Sequence, residues 1–205
     1  RQGVDNVYDA QWWRGSHGFA PPAENARTGY EPFDLDYFVY PPPFLLVTLP
    51  LVPFDGDYPA QRALWFGLNG LLLAVGLWLV AHWLQGPRSH RVLLLAPVFY
   101  GTLPVLATLQ VGNFQIAVVV LSVLGLVAHA SDRPALGGAL LAFAIWSKIS
   151  PGILLIGLLA QRRWRSLGWT ALFGCLFLAA SWFVFGSAPL VAFVRYALPR
   201  LASGE

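Results

Sequence analysis

The sequence predicts an all-α fold, a polytopic integral membrane helical bundle, on three observations. Apolar residues make up 57% of the chain and charged residues only 11%, well outside the range of soluble domains. Six apolar segments follow one another between residues 44 and 185. None of them alternates as a closed barrel would, so helices are the only way to satisfy these backbones in lipid. A net charge of +3 does not redirect this reading, because the basic residues are dispersed rather than gathered into the stripe that a phosphate backbone needs. Nucleic acid is excluded as a partner, and membrane lipid is expected.

Taken in order, Arg1 to Tyr40 is polar, with six carboxylates against three arginines. Loops of this length are functional or disordered, and the Tyr, Phe and Trp residues between Tyr8 and Phe38 argue against disorder. Residues 1–43 are therefore expected to form an ordered, outward-facing loop, and residues 44–205 the transmembrane helical domain. The chain holds no methionine and begins in a polar stretch, which suggests a fragment or a processed product. Phe44 to Phe54 is short and bracketed by prolines, so it is expected to lie along the interface or to enter only partway. A full crossing takes about 20 residues. Leu64 to Leu84 and Leu167 to Phe185 meet that length, and Val92 to Leu109 and Phe114 to Ala130 come close. Ala135 to Ala160 is long enough but is interrupted by Ser147-Lys148-Ile149-Ser150-Pro151. Proline removes a backbone donor and disfavours helix in the residue before it, which predicts a break near Ser150.

Arginine placement suggests how the chain threads the membrane, since cytoplasmic loops collect Lys and Arg. Arg162-Arg163-Trp164-Arg165 is the strongest inside signal, followed by Arg88 to Arg91 and by Arg133. With all three inside, the Gln110-Val111-Gly112-Asn113 turn faces out and Ala135 to Ala160 becomes a hairpin with Lys148 at its outer tip. The competing arrangement makes Phe44 to Phe54 a true crossing and Ala135 to Ala160 one broken helix, which puts Arg88, Arg91 and Arg133 outside.

Lys148 is the one lysine beside twelve arginines. An ionisable group inside a transmembrane stretch costs about 2.5–3.5 kcal/mol on insertion scales and turns to a cavity or a partner. The alternative is a lysine snorkelling from an ordinary helix end. Cys175 sits alone in an apolar run and reads as a small buried hydrophobe. No cluster has metal-ligand spacing, and Asp55-Gly56-Asp57 is too sparse for a calcium loop, so no metal or cofactor is expected.

Several motifs then resemble a known family. Asp5-Asn6-Val7-Tyr8, Tyr40-Pro41-Pro42-Pro43-Phe44, the Gly112-Asn113 turn, Lys148-Ile149-Ser150-Pro151 and the Arg-Arg-Trp-Arg stretch, in that order, resemble glycosyltransferase family 87. These are polyprenyl-phosphate-mannose-dependent mannosyltransferases of the GT-C architecture, and the resemblance runs from Asp5 to about Arg200. It departs at one point: the family's turn commonly reads Gly-Gln-x-Asn, whereas here the order is Gln110-Val111-Gly112-Asn113. The resemblance implies a first transmembrane helix before Arg1 and further helices after Glu205. It also implies an enzyme of the bacterial plasma membrane that moves a hexose, mannose by family, from a polyprenyl-phosphate-linked donor to a glycolipid or glycan acceptor on the outer face.

Such a transfer needs a base near the acceptor hydroxyl and positive charge near the departing phosphate. By the resemblance, Asp5 takes the base position and Lys148 the phosphate. Asp9 lies four residues on and would share a face with Asp5 in a helix. His17, Asp36, Tyr40, Asn113 and Gln115 are further candidate substrate contacts. For Tyr40 a structural turn competes with that role, and for Asn113 and Gln115 helix capping or a hydrogen bond across helices is preferred. Trp12, Trp13 and Phe19 suit either sugar stacking or interfacial anchoring. A transporter or lipid flippase is the rival reading, since broken helices with a buried cation also describe secondary transporters, but the sequence shows no internal repeat.

Overall fold

The computed structural model of the chain describes residues 40–54 and 57–198. Among them the chain is helical with no strand. Asp5, Asp9, His17 and Asp36 lie outside the described residues, as do Trp12, Trp13 and Phe19. The chain divides into two compact units, one of residues 47–177 and one that includes residues 40–46 and 178–198.

The first described element, Pro42–Phe54, is a 3-10 helix with Pro50 and Pro53 inside it. Prolines spaced by three suit a three-residue turn and cannot donate to the longer α-helical ladder. Helix α1, Tyr58–Leu84, follows. Asp57 caps it, its Oδ1 accepting from the Ala60 N–H at 3.0 Å, and Pro59 stands in its first turn where no intrahelical donor is lost. At 27 residues α1 is about 40 Å long, ample for a crossing. Its buried residues Asn69, Leu73 and Gly76 share one face, while Leu71 and Trp78 stay exposed on the opposite one, as a lipid-facing surface requires.

The near-span expected over Val92 to Leu109 is instead two helices, α2 (Gly86–Tyr100) and α3 (Leu103–Val111), bent by 60°. In a continuous helix the Pro104 ring would meet the Tyr100 carbonyl and leave it without a donor. Thr102 therefore takes an extended conformation, its hydroxyl bonding the Phe99 carbonyl at 2.8 Å. Tyr100 ties α2 back to α1 by donating to the Gly70 carbonyl at 2.5 Å. Helix α3 stops at Gly112, whose φ of +77° is the left-handed conformation glycine tolerates. The Gly112 and Asn113 N–H groups turn back to the carbonyls of Leu109 and Thr108, closing a Schellman end.

Helix α4, Gln115–Ala130, has the most buried residues of the unit, and α5, Pro134–Ser147, returns antiparallel to it. Without a hydrophobic force between helices in lipid, such packing relies on small residues that let backbones approach. Gly125 of α4 lies against the Gly137 carbonyl and Leu141 of α5. Gly138 faces the other way, where an added Cβ would come within 2.7 Å of the Trp169 backbone of α7, Trp164–Phe185. Trp146 of α5 donates to the Gly174 carbonyl at 2.9 Å, which sets α7 parallel to α5. Helix α1 runs parallel to α4: Trp65 meets Phe114 near one end, and Gly76 meets Val120 further along. Leu73, Val105, Leu109, Ile116 and Val120 form the core among α1, α3 and α4.

Between α5 and α7 the chain doubles back through a 3-10 turn, Ser150–Gly152, and the short helix α6, Ile153–Ala160. The Arg163 guanidinium donates to the His129 carbonyl at 2.6 Å, so the end of α6 returns to the level where α5 begins. These directions gather Arg88, Arg91, Arg133, Arg162, Arg163 and Arg165 at one end of the unit, and Arg62 and Lys148 at the other.

In the smaller unit Tyr40 stacks on Phe44 with ring centroids 4.3 Å apart. The end of α7 and a short helix α8, Ala188–Ala192, lead into a wider π-type turn, Phe193–Ala197. Ala192, Phe193 and Ala197 form its core.

Candidate functional site

Helix α5 stops at Ser147 because Pro151, four residues on, has no N–H for the Ser147 carbonyl and would press its ring against it. The break expected near Ser150 falls on Lys148, which is extended at φ −157° and ψ 129°. Its N–H still closes the last turn of α5 on the Ala144 carbonyl at 2.9 Å, so the residue is fixed at the helix end while its side chain leaves the helix line. That side chain is exposed, and Nζ donates to Gln115 Oε1 at 2.5 Å. An ammonium has three donors, and Gln115 takes one.

Gln115 opens α4, and its position is set by the turn before it. Asn113 Oδ1 accepts the Gln115 N–H at 3.0 Å, an Asx-type cap at the start of the helix. Arg62 Nη2 donates to the Gln110 carbonyl at 2.7 Å, and Trp65 Nε1 to the Gly112 carbonyl at 2.8 Å. The turn is thus bound to α1 by two side chains, and Gln115 emerges from it toward Lys148.

Below Gln115 lies a cavity of about 360 Å³, within the usual size range of small-molecule sites. Gln115 lines it, and the walls continue as Leu73 and Gly76 of α1, Val105 of α3 and Val119, Val123 and Leu124 of α4. Thr108 is the other polar lining residue, and its hydroxyl is turned to the Pro104 carbonyl at 2.7 Å. Gln115 to Val123 covers about 12 Å of helix. The arrangement is amphiphilic: a lone amine held by an amide at one end, and an apolar slot running from that amide into the helix packing. Chemically it suits a molecule with an anionic head and a hydrocarbon body.

Of the candidate site residues, Lys148, Gln115 and Asn113 come together at this end. Tyr40 lies in the smaller unit against Phe44. Sequence reasoning missed Arg62 and Trp65, which hold the Gln110–Asn113 turn. The signal available for Arg62 was an arginine close behind the Asp57-Tyr58-Pro59 helix start. Among the described residues the carboxylates are Asp57, which caps α1, and Asp132, at the arginine end.

A family model, Glycosyltransferase family 87, matches residues 38–204. No curated protein and no solved structure matches the chain.

Proposed function

The chain belongs to glycosyltransferase family 87, and from that premise we propose that it transfers a hexose, mannose by family resemblance, from a polyprenyl-phosphate donor to a glycolipid or glycan acceptor. As a member of that family with apolar helices long enough to cross a bilayer, it is a membrane glycosyltransferase. The finer reading is supported chiefly by one observation: Gln115, which holds the Lys148 ammonium, also lines an apolar cavity. A polyprenyl phosphate has the same two halves. Its phosphate suits the ammonium, and its isoprenoid chain suits the slot lined by Leu73, Val119 and Val123.

In the proposed reaction Asp5 accepts the proton of the acceptor hydroxyl, and the oxygen attacks the anomeric carbon from the face opposite the phosphate. The bond from the anomeric carbon to the phosphate oxygen breaks with inversion, and its electron pair stays on that oxygen. Lys148 holds the resulting extra charge. A cation already held in place meets that charge without reorganising at the moment of reaction. The rule that cytoplasmic loops collect arginine puts the Arg162–Arg165 end inside and Lys148 on the outer face of a bacterial plasma membrane.

The test is a membrane assay with labelled polyprenyl-phosphate-mannose and the full chain, comparing wild type with Asp5→Asn. A base in this role is worth about 10²- to 10⁴-fold, so the variant should lose most product. Equal product from the two proteins would remove Asp5 from the mechanism.

A further inference from the structure

The end of the larger unit opposite Lys148 carries a second cavity, of about 470 Å³, and its chemistry is unlike that of the first. Its polar lining is Arg162, Arg163, Arg165, Ser166, His129 and Asp132, three permanent cations with a single acid. The fold brings them there from two separate turns. Arg163 is anchored by its bond to the His129 carbonyl, and the His129 ring, 3% exposed, has neither nitrogen hydrogen-bonded. Arg162 is held at φ +54°, a left-handed conformation that few non-glycine residues adopt. Arg165 and Ser166 stand in the first turn of α7, where backbone N–H groups have no intrahelical partner and the helix dipole is positive.

Three arginines lining one concave space leave it with an excess of positive charge that its one carboxylate does not offset. A tetrahedral oxyanion would, because each guanidinium presents a fork of donors matched to phosphate oxygens. Basic pockets between transmembrane helices on the cytoplasmic side hold anionic lipid headgroups by the same chemistry. We propose that this cavity is a binding site for a phosphate group, presented either by an anionic phospholipid headgroup or by free phosphate. The site is independent of the transfer reaction, since it lies at the far end of α4 and α5 from Lys148.

Native mass spectrometry of the full chain, released from nanodiscs of equal parts phosphatidylcholine and phosphatidylglycerol, reads the retained lipid directly. Wild type should retain phosphatidylglycerol over phosphatidylcholine. Arg162→Gln with Arg165→Gln should retain about 30-fold less, from the usual surface contribution of each arginine. Arg88→Gln, which removes a charge outside the cavity, should retain as much as wild type. Asp132→Asn should retain more, and because it adds affinity it keeps the test readable if the double variant misfolds. If the source is free phosphate, excess inorganic phosphate raises the unfolding temperature of wild type in phosphatidylcholine alone and leaves the double variant unmoved. If the source is the lipid, phosphatidylglycerol is retained without that shift. Equal retention of the two lipids together with no response to phosphate overturns the proposal, as does a folded double variant, or Asp132→Asn, that behaves as wild type.

Discussion

An ammonium in an apolar run is tolerated when its charge has somewhere to go, and Lys148 has a partner, Gln115, that itself lines a cavity. Lys148→Ala should lower transfer about 10²- to 10³-fold at saturating donor, the usual cost of removing one charge-stabilising donor. Gln115→Leu keeps the lysine and removes the acceptor that aims it. A hydrogen bond to a charged group is worth about 1.5–3 kcal/mol, so the rate should fall about tenfold or more in the same assay. Unchanged rates in both variants would leave the Lys148 end without a role. Lys148 stood out in the sequence because a lone cation among apolar residues is conspicuous. Gln115 is a sequence candidate too, with a hydrogen bond across helices preferred for it. Its pairing with Lys148 was not legible, because the two lie 33 residues apart and a glutamine at a helix start has many ordinary uses.

At the scale of elements, prolines and glycines do different work. Pro151 ends α5, so Pro151→Ala should let the helix run on and swing Lys148 off Gln115. Transfer should then drop toward the level of Lys148→Ala while the solubilised protein keeps its elution volume. Gly138 lets α5 and α7 touch backbone to backbone. Gly138→Leu should cost about 1–3 kcal/mol through overpacking and lower the unfolding temperature in detergent. Gly157→Leu is the control, since nothing lies within 4 Å of a Cβ there. The break within Ala135 to Ala160 was legible because a proline acts on its own neighbours. The bend between α2 and α3 rests on the same local chemistry at Pro104, but Val92 to Leu109 reads as one apolar segment when hydropathy alone sets its limits.

At the scale of the whole molecule, the membrane orientation can be read by labelling. Cys175 is exposed rather than buried as expected, so it is removed first. In a Cys175→Ala background, Ile149→Cys should react with an impermeant maleimide in intact cells, and Ser131→Cys only after permeabilisation. The reverse pattern would invert the proposed sidedness. Filling the slot is a second test at this scale. Val119→Phe should raise KM for a long-chain polyprenyl donor several-fold and leave a short-chain donor nearly unaffected. Equal effects on both would argue that the isoprenoid chain lies elsewhere. Composition, proline position and the lone lysine by themselves determined that this is a helical membrane protein with a broken segment, because each acts through solvation or through backbone geometry within a few residues. Only the tertiary structure decided which amide meets the ammonium, where the apolar slot runs and which arginines converge. Those meetings depend on how helices cross at Gly76, Gly125 and Gly138, and a crossing is a property of two surfaces together that neither strand of sequence encodes alone.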